Sequence, residues 1–151
     1  MVGHEDVDLF TLLPAPSSPG LQALIPGTSK WVRVVAPPGS IIVNTGDYAQ
    51  RLFNDRYPST THRVAPPAPG HADRQWARTS FPMAVYLPED SLLDPLGACC
   101  EEGENSSPYE RGVTALEFHT STNRKYYGEG YRDTGKDVEE DGDECQCDAR
   151  L

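Results

Sequence analysis

The sequence predicts a mainly β fold, a sandwich or barrel of short strands, on three observations. Apolar and β-branched runs of about four to six residues recur at spacings of roughly ten. Dense clusters of Pro, Gly, Ser and Asp separate them. Only one segment carries a helical pattern long enough for more than a turn or two.

The first strand is expected over Asp8 to Leu13 and is stopped by the turn formers from Pro14 to Gly20. Leu21 to Ile25, Trp31 to Val35 and Ser40 to Asn44 follow as strands, bounded by Pro-Gly, Pro-Pro-Gly and Thr-Gly-Asp. Gly46 to Asn54 has Ala49, Leu52 and Phe53 at helical spacing but is short. Thr60 to Val64 and Ser80 to Leu87 read as further strands, with Pro82 forcing the second to an edge or an entrance. Between them, Ala65 to Gly70 is a loop by composition.

Beyond Leu87 the chain turns Glu-, Gly- and Ser-rich through Pro108, which predicts a surface excursion. Val113 to Tyr127 predicts a helix with Thr114 as N-cap and Glu117 completing a capping box. Ala115, Phe118 and Thr122 share its inner face, and Gly128 and Gly130 end it. From Glu129 to Asp148 acidic residues dominate, so this tail is expected to be disordered.

With 151 residues and 37% apolar content, one domain with a moderate core is expected. The formal net charge of -10 argues against nucleic acid, which recruits clustered Lys and Arg. No apolar run approaches the roughly 20 residues of a membrane-spanning helix. The four cysteines, Cys99-Cys100 and Cys145-x-Cys147, lack the spacing of a secreted disulfide framework, which favours a reducing compartment and a cytoplasmic location. The second pair reads as unstructured tail rather than as a metal site. Asn105-Ser106-Ser107 fits a glycosylation triplet, a frequent chance pattern with no signal peptide ahead of it.

The residues that carry chemistry are His4, Asp6, His62, Arg78 and Ser80. Alternation along an extended segment turns His4 and Asp6 to one side and Glu5 away, as a chelate requires. A third ligand then has to come from a neighbouring strand, and His62 stands at the start of one. Two imidazoles and a carboxylate on one face of an octahedron suit iron(II) that must also bind a co-substrate and dioxygen. Arg78 and Ser80 alternate onto one face and offer a guanidinium fork and a hydroxyl to a carboxylate. Each feature alone has a plainer reading: a solvated acidic end, a hydrogen-bonded structural histidine, an exposed ion pair. The functional reading rests on the combination. His71, in the Pro-rich loop, and His119, in the helix, are the poorer candidates.

The strings from His4 to Leu13, Gly20-Leu21-Gln22, Pro38 to Asp47, Ser59 to Val64 and Arg78-Thr79-Ser80 together resemble the isopenicillin N synthase-like iron(II) and 2-oxoglutarate-dependent oxygenases. Order and spacing match along roughly the first ninety residues. The resemblance implies a double-stranded β-helix (jelly roll), incomplete, with a short C-terminal helix and a disordered acidic tail. It implies a core over residues 1–90, a C-terminal extension with loop and helix over 91–128, and the acidic tail over 129–151. His4, Asp6 and His62 are then the iron ligands, and Arg78 and Ser80 hold the distal carboxylate of 2-oxoglutarate. Dioxygen attack on the bound keto acid releases succinate and carbon dioxide, and the resulting oxidant acts on a small organic substrate. Inward-facing Leu12, Val43 and Val85 would keep water out, whereas Asn44 and Asp47, which also match the family, read as residues of a tight turn.

The chain departs from the family in a longer loop between His62 and Arg78, in the Cys- and Glu-rich stretch after Leu87, and in everything the family places before its His-x-Asp motif. The last departure leads to the expectation of a truncated chain with unpaired strand edges. Two other functions stay open on the sequence: an iron oxidase that needs no 2-oxoglutarate and uses Arg78 and Ser80 for the substrate's own carboxylate, and an inactive fragment that binds a protein partner.

Overall fold

The computed structural model describes residues 3–100 and 107–128. Among the described residues six strands form where the apolar runs lie between turn formers: β1 Phe10–Pro14, β2 Leu21–Leu24, β3 Trp31–Arg33, β4 Ile41–Thr45, β5 His62–Val64 and β6 Met83–Val85. They make two three-stranded antiparallel sheets, ordered β4-β1-β6 and β3-β2-β5. Only β2 and β3 pair as neighbours in sequence; β1 reaches to β4 and β6, and β2 to β5. This interleaving belongs to a jelly roll, and among the described residues the sheets do not close into a barrel.

Differences from expectation have local causes. β1 starts at Phe10 rather than Asp8, because Asp8 is withdrawn from solvent to 1% exposure and its carbonyl accepts the Tyr48 N–H at 3.1 Å. β6 pairs only over Met83–Val85, since Pro82 has no N–H to give a ladder. Gly46 to Asn54 does form a helix, α1 Asp47–Leu52. Two 3-10 turns, Ala72–Gln75 and Gly97–Cys99, were not foreseen; the first is capped by His71, whose ring accepts the Asp73 N–H at 3.2 Å.

The second helix, α2 Ala115–Tyr127, carries the expected capping box: Thr114 Oγ1 accepts the Glu117 N–H and the Glu117 carboxylate accepts the Thr114 N–H. Gly128 ends it at a φ of 80°. Ala115 and Thr122 are buried and Phe118 packs against the core, as the helical spacing predicted. No helix among the described residues is long and apolar enough to cross a membrane. Gly130, the acidic tail, Asn105 and both Cys145 and Cys147 lie outside the described residues.

The core gathers at one end of the sheets, where α1, α2 and the segment after β6 meet around Tyr48, Leu93 and Ala115, with Val7, Leu9, Leu52, Leu87 and Phe118 packed against them. The expected surface excursion is therefore wrong for its first part. Leu93 is fully buried, and Leu92 pairs with Thr114 as an isolated bridge. Arg51, 6% exposed, fixes this segment: its Nε donates to the Leu93 carbonyl at 2.9 Å, another guanidinium nitrogen donates to the Glu110 carbonyl, and its plane lies over the Tyr109 and Phe118 rings. Composition concealed this, since a short Leu92-Leu93 pair among turn formers has no periodic signature.

Gly46 shows why the Asn-Thr-Gly-Asp string ends in these residues. Its φ of -103° is open to any residue, so turn conformation is not the reason. A Cβ there would sit 2.2 Å from the Asp8 carbonyl and 2.3 Å from its carboxyl. Gly permits the start of α1 to press against the arm from His4 to Leu9, where Asp47 N–H donates to the Asp6 carbonyl at 2.8 Å.

Gly46→Ala is expected to destabilise the chain by at least the ~1–3 kcal/mol of an overpacked core, read by urea unfolding. Tyr48 OH donates to the Ala115 carbonyl at 3.0 Å, and burial pushes the phenol up to about 12. In the same assay Tyr48→Phe is expected to cost about 1 kcal/mol and Tyr48→Ala about 3–5 kcal/mol.

Candidate metal centre

An extended arm from Gly3 to Leu9 passes from one sheet to the other, and it brings the histidines together. His4 and His62 exchange both backbone hydrogen bonds, His4 N–H to His62 O at 3.0 Å and His62 N–H to His4 O at 2.9 Å. Residues paired this way project side chains to the same face, so the imidazoles lie side by side with centroids 4.5 Å apart. Two residues on, Asp6 turns back toward them. Its Oδ1 is 3.6 Å from Nε2 of His4 and 3.6 Å from Nε2 of His62. One donor atom from each of the three residues falls within 4.8 Å of the others.

His62 is held from behind. Its Nδ1 donates to the Thr60 carbonyl at 3.0 Å, which fixes the tautomer that leaves Nε2 with its lone pair toward Asp6. Asp6 is held likewise. Asn44 Nδ2 donates to its Oδ2 at 2.9 Å, and Thr11 Oγ1 lies 2.8 Å from that same oxygen. Asn44 thus does more than close a turn. Thr11 and Asn44 are direct partners in the β1–β4 ladder, so the register that pairs the strands also places both polar groups beneath Asp6.

Asp8 completes the network. Thr11 Oγ1 is 2.6 Å from its Oδ2, while its Oδ1 is buried without a hydrogen-bond partner. Burial pushes the Asp8 carboxyl above its ordinary range, and the nearby Asp6 charge adds to this, against the Thr11 hydrogen bond. The Thr11 hydroxyl thus lies within hydrogen-bond distance of both carboxylates.

A cavity of about 550 Å³ opens between the sheets onto this cluster. Arg78 and Ser80 line it too. The Arg78 guanidinium donates to Ser80 Oγ at 3.0 Å and to the Ser18 carbonyl at 3.2 Å. Gly20 has a φ of 151°, which favours glycine, and a Cβ there would lie 3.0 Å from the Ala65 carbonyl.

The apolar lining differs from expectation. Leu12 and Val85 do not line the cavity, and Val43, though it borders it, is 62% exposed. Leu13, Ile42 and Ala84 take that role with Leu21, Ala23 and Val64 from the facing sheet. The reason is parity: Thr11 pairs with Asn44 and Ala84, so these three and their i±2 neighbours turn to the cavity side, and Leu12, Val43 and Val85 to the other. His119 stays out of the donor cluster, in keeping with its lower rank, but it reaches the cavity from α2 beside Asn123, with its ring 5.6 Å from that of Tyr86. Their spacing of four residues on one helix face was the available signal. His71 stays in its loop, 3.6 Å from Asp73.

A family model described as the 2OG-Fe(II) oxygenase superfamily matches residues 1–84. The 2-oxoglutarate-Fe(II) type oxidoreductase ppzC of Metarhizium rileyi is 38% identical over 103 residues, covering 68% of this chain and 26% of its own. A 2OG-Fe(II) oxygenase family protein from Caulobacter crescentus superposes with a TM-score of 0.72 at 32% identity, over 83% of this chain and 40% of that one. The full-length Neurospora crassa enzyme solved in complex with alpha-KG gives 0.73 at 25% identity, over 83% and 37%. The chain thus spans between about a quarter and two fifths of the length of these relatives. The part it spans holds both sheets, the three clustered donors and the arginine-serine pair. On the match of the 2OG-Fe(II) oxygenase model to residues 1–84, this chain belongs to that superfamily.

Proposed function

We propose that this chain is the metal- and co-substrate-binding part of a non-haem iron(II), 2-oxoglutarate-dependent dioxygenase that oxidises a small organic substrate. The observation that carries the reading is the convergence of His4, Asp6 and His62 on one wall of a cavity that Arg78 and Ser80 also line.

The donor set fits iron(II). Two imidazoles and one carboxylate occupy one side and leave the cavity side open, as the iron oxygenase triad requires. Thr60 sets the ligating nitrogen of His62, and Asn44 and Thr11 set the free oxygen of Asp6. Iron bound here with 2-oxoglutarate and dioxygen supplies the oxidising power for C–H oxidation, with release of succinate and carbon dioxide. The protein's own residues bind, orient and shield.

Arg78 offers a fixed cation, and Ser80 a hydroxyl, to the distal carboxylate of the co-substrate. Ser80 accepts from Arg78, which leaves its own proton to donate. Leu13, Leu21, Ile42 and Val64 reduce the water available beside the reacting centre. His119, Tyr86 and Asn123 stand where a substrate would meet α2.

Anaerobic addition of ferrous iron and then 2-oxoglutarate is expected to produce the weak visible band of the chelate, and His62→Ala to abolish it. A band that survives in that variant removes His62 from the ligand set. Arg78→Gln is expected to weaken 2-oxoglutarate roughly ten- to a hundredfold in the same titration, by loss of a charged hydrogen-bond donor worth about 1.5–3 kcal/mol. Succinate formed in step with product supports 2-oxoglutarate as co-substrate. Turnover without succinate assigns Arg78 and Ser80 to the substrate's carboxylate instead.

A further inference from the structure

We infer that Asn44 and Thr11 act together as positioning residues that hold Asp6 to one-oxygen ligation and so keep a coordination position open for dioxygen. This rests on the reading of His4, Asp6 and His62 as the metal ligands.

A carboxylate can present one oxygen or two to a cation, and an unrestrained one is free to do either. The choice matters in a six-position site. His4, Asp6 and His62 take three positions if Asp6 gives one oxygen, a keto acid chelate takes two, and one is left. Asp6 binding through both oxygens would fill that last position.

The geometry around Asp6 separates its two oxygens. Oδ1 faces Nε2 of both histidines at 3.6 Å, whereas Oδ2 receives Asn44 Nδ2 at 2.9 Å and Thr11 Oγ1 at 2.8 Å. Asn44 Nδ2 and the Thr11 hydroxyl sit against the side of Oδ2 that a second metal bond would need. For Oδ2 to swing to the metal, both hydrogen bonds have to break in a half-buried setting, where an unpaired polar group is costly.

The donors cannot follow the carboxylate. Asn44 and Thr11 are paired in the interior of the β1–β4 ladder, and Thr11 is also tied to the buried Asp8. The backbone of Asp6 is fixed in turn, because its carbonyl accepts the Asp47 N–H at 2.8 Å. One side of the contact lies in a paired ladder and the other on an arm docked by a backbone hydrogen bond at Asp6 itself, which is what a positioning shell needs.

The test uses the full chain, loaded anaerobically with ferrous iron and 2-oxoglutarate and titrated with nitric oxide as a stand-in for dioxygen. The signal is the electron paramagnetic resonance of the nitrosyl complex. Asn44→Leu, close in shape but without the donor, is expected to keep the visible chelate band and to bind nitric oxide about tenfold or more weakly, within the range for outer-shell changes at metal sites. Thr11→Val, read the same way, is the second variant, and Thr11→Ser is expected to behave as wild type because it keeps the hydroxyl.

Nitric oxide affinity equal to wild type in both Asn44→Leu and Thr11→Val overturns the inference. Loss of the chelate band in both variants also overturns it, since that marks a general collapse of the site rather than a filled position. A weakening that Thr11→Ser shares with Thr11→Val overturns the role of the hydroxyl. Failure of the wild type to form the chelate band is a separate result: it removes the metal reading itself, and this inference with it.

Discussion

The paired hydrogen bonds between the backbones of His4 and His62 are the contact on which the site depends. They are the only ladder-type contact tying the arm to the β3-β2-β5 sheet among the described residues, while Leu9 N–H to Val85 O at 2.9 Å ties the same arm to the other. The arm is therefore stretched between two sheets, and Asp6 sits at the crossing. Because a directly opposed pair shares a face, the same hydrogen bonds that dock the arm also point both imidazoles at Asp6. Docking of the arm and convergence of the three side chains are one event.

This arrangement concentrates acidic groups in a confined space, and the structure offsets the cost locally. Asp6 receives two neutral donors, Asp8 is pushed by burial toward its protonated form, and the start of α1 presents the Asp47 and Tyr48 N–H groups to the carbonyls of Asp6 and Asp8. Burial also pushes the Asp47 carboxyl above its ordinary range, and the nearby charges of Glu5, Asp6 and Asp8 add to this. Gly46 is the steric condition for all of it, since a methyl group there would collide with the Asp8 backbone and carboxyl together. The core around Tyr48, Leu93 and Ala115 lies behind this junction and presses α1 onto the arm. Stability and site geometry thus share residues, which is common where a binding constellation is built on the ends of strands.

A good part of this was legible in the chain. Punctuation by Pro and Gly located all six strands to within a few residues, and Thr114 with Glu117 announced α2 through a purely local motif. Where the reading failed, the information was not local. Leu93 is buried because Arg51 and the Thr114 bridge capture its segment, contacts made across long separations. Leu12, Val43 and Val85 were assigned to the wrong face, because alternation fixes which residues share a side but not which side is inner. That His119 borders the cavity was not legible either, since separation in sequence says nothing about distance in space.

By itself the sequence determined the chemical types and their order: two histidines and an aspartate able to bind a metal, an arginine and a serine able to hold a carboxylate, and short strands between strong turn formers. Those are properties of residues and their near neighbours, which a linear chain carries openly. Only the tertiary structure decided that Asn44 and Thr11 grip the same oxygen of Asp6, that Gly46 is demanded by close approach rather than by a turn, and that β1 turns Thr11 and Leu13 inward. Each of these depends on the register between strands distant in sequence, and a register is selected by the packing of whole sheets, not by any segment alone.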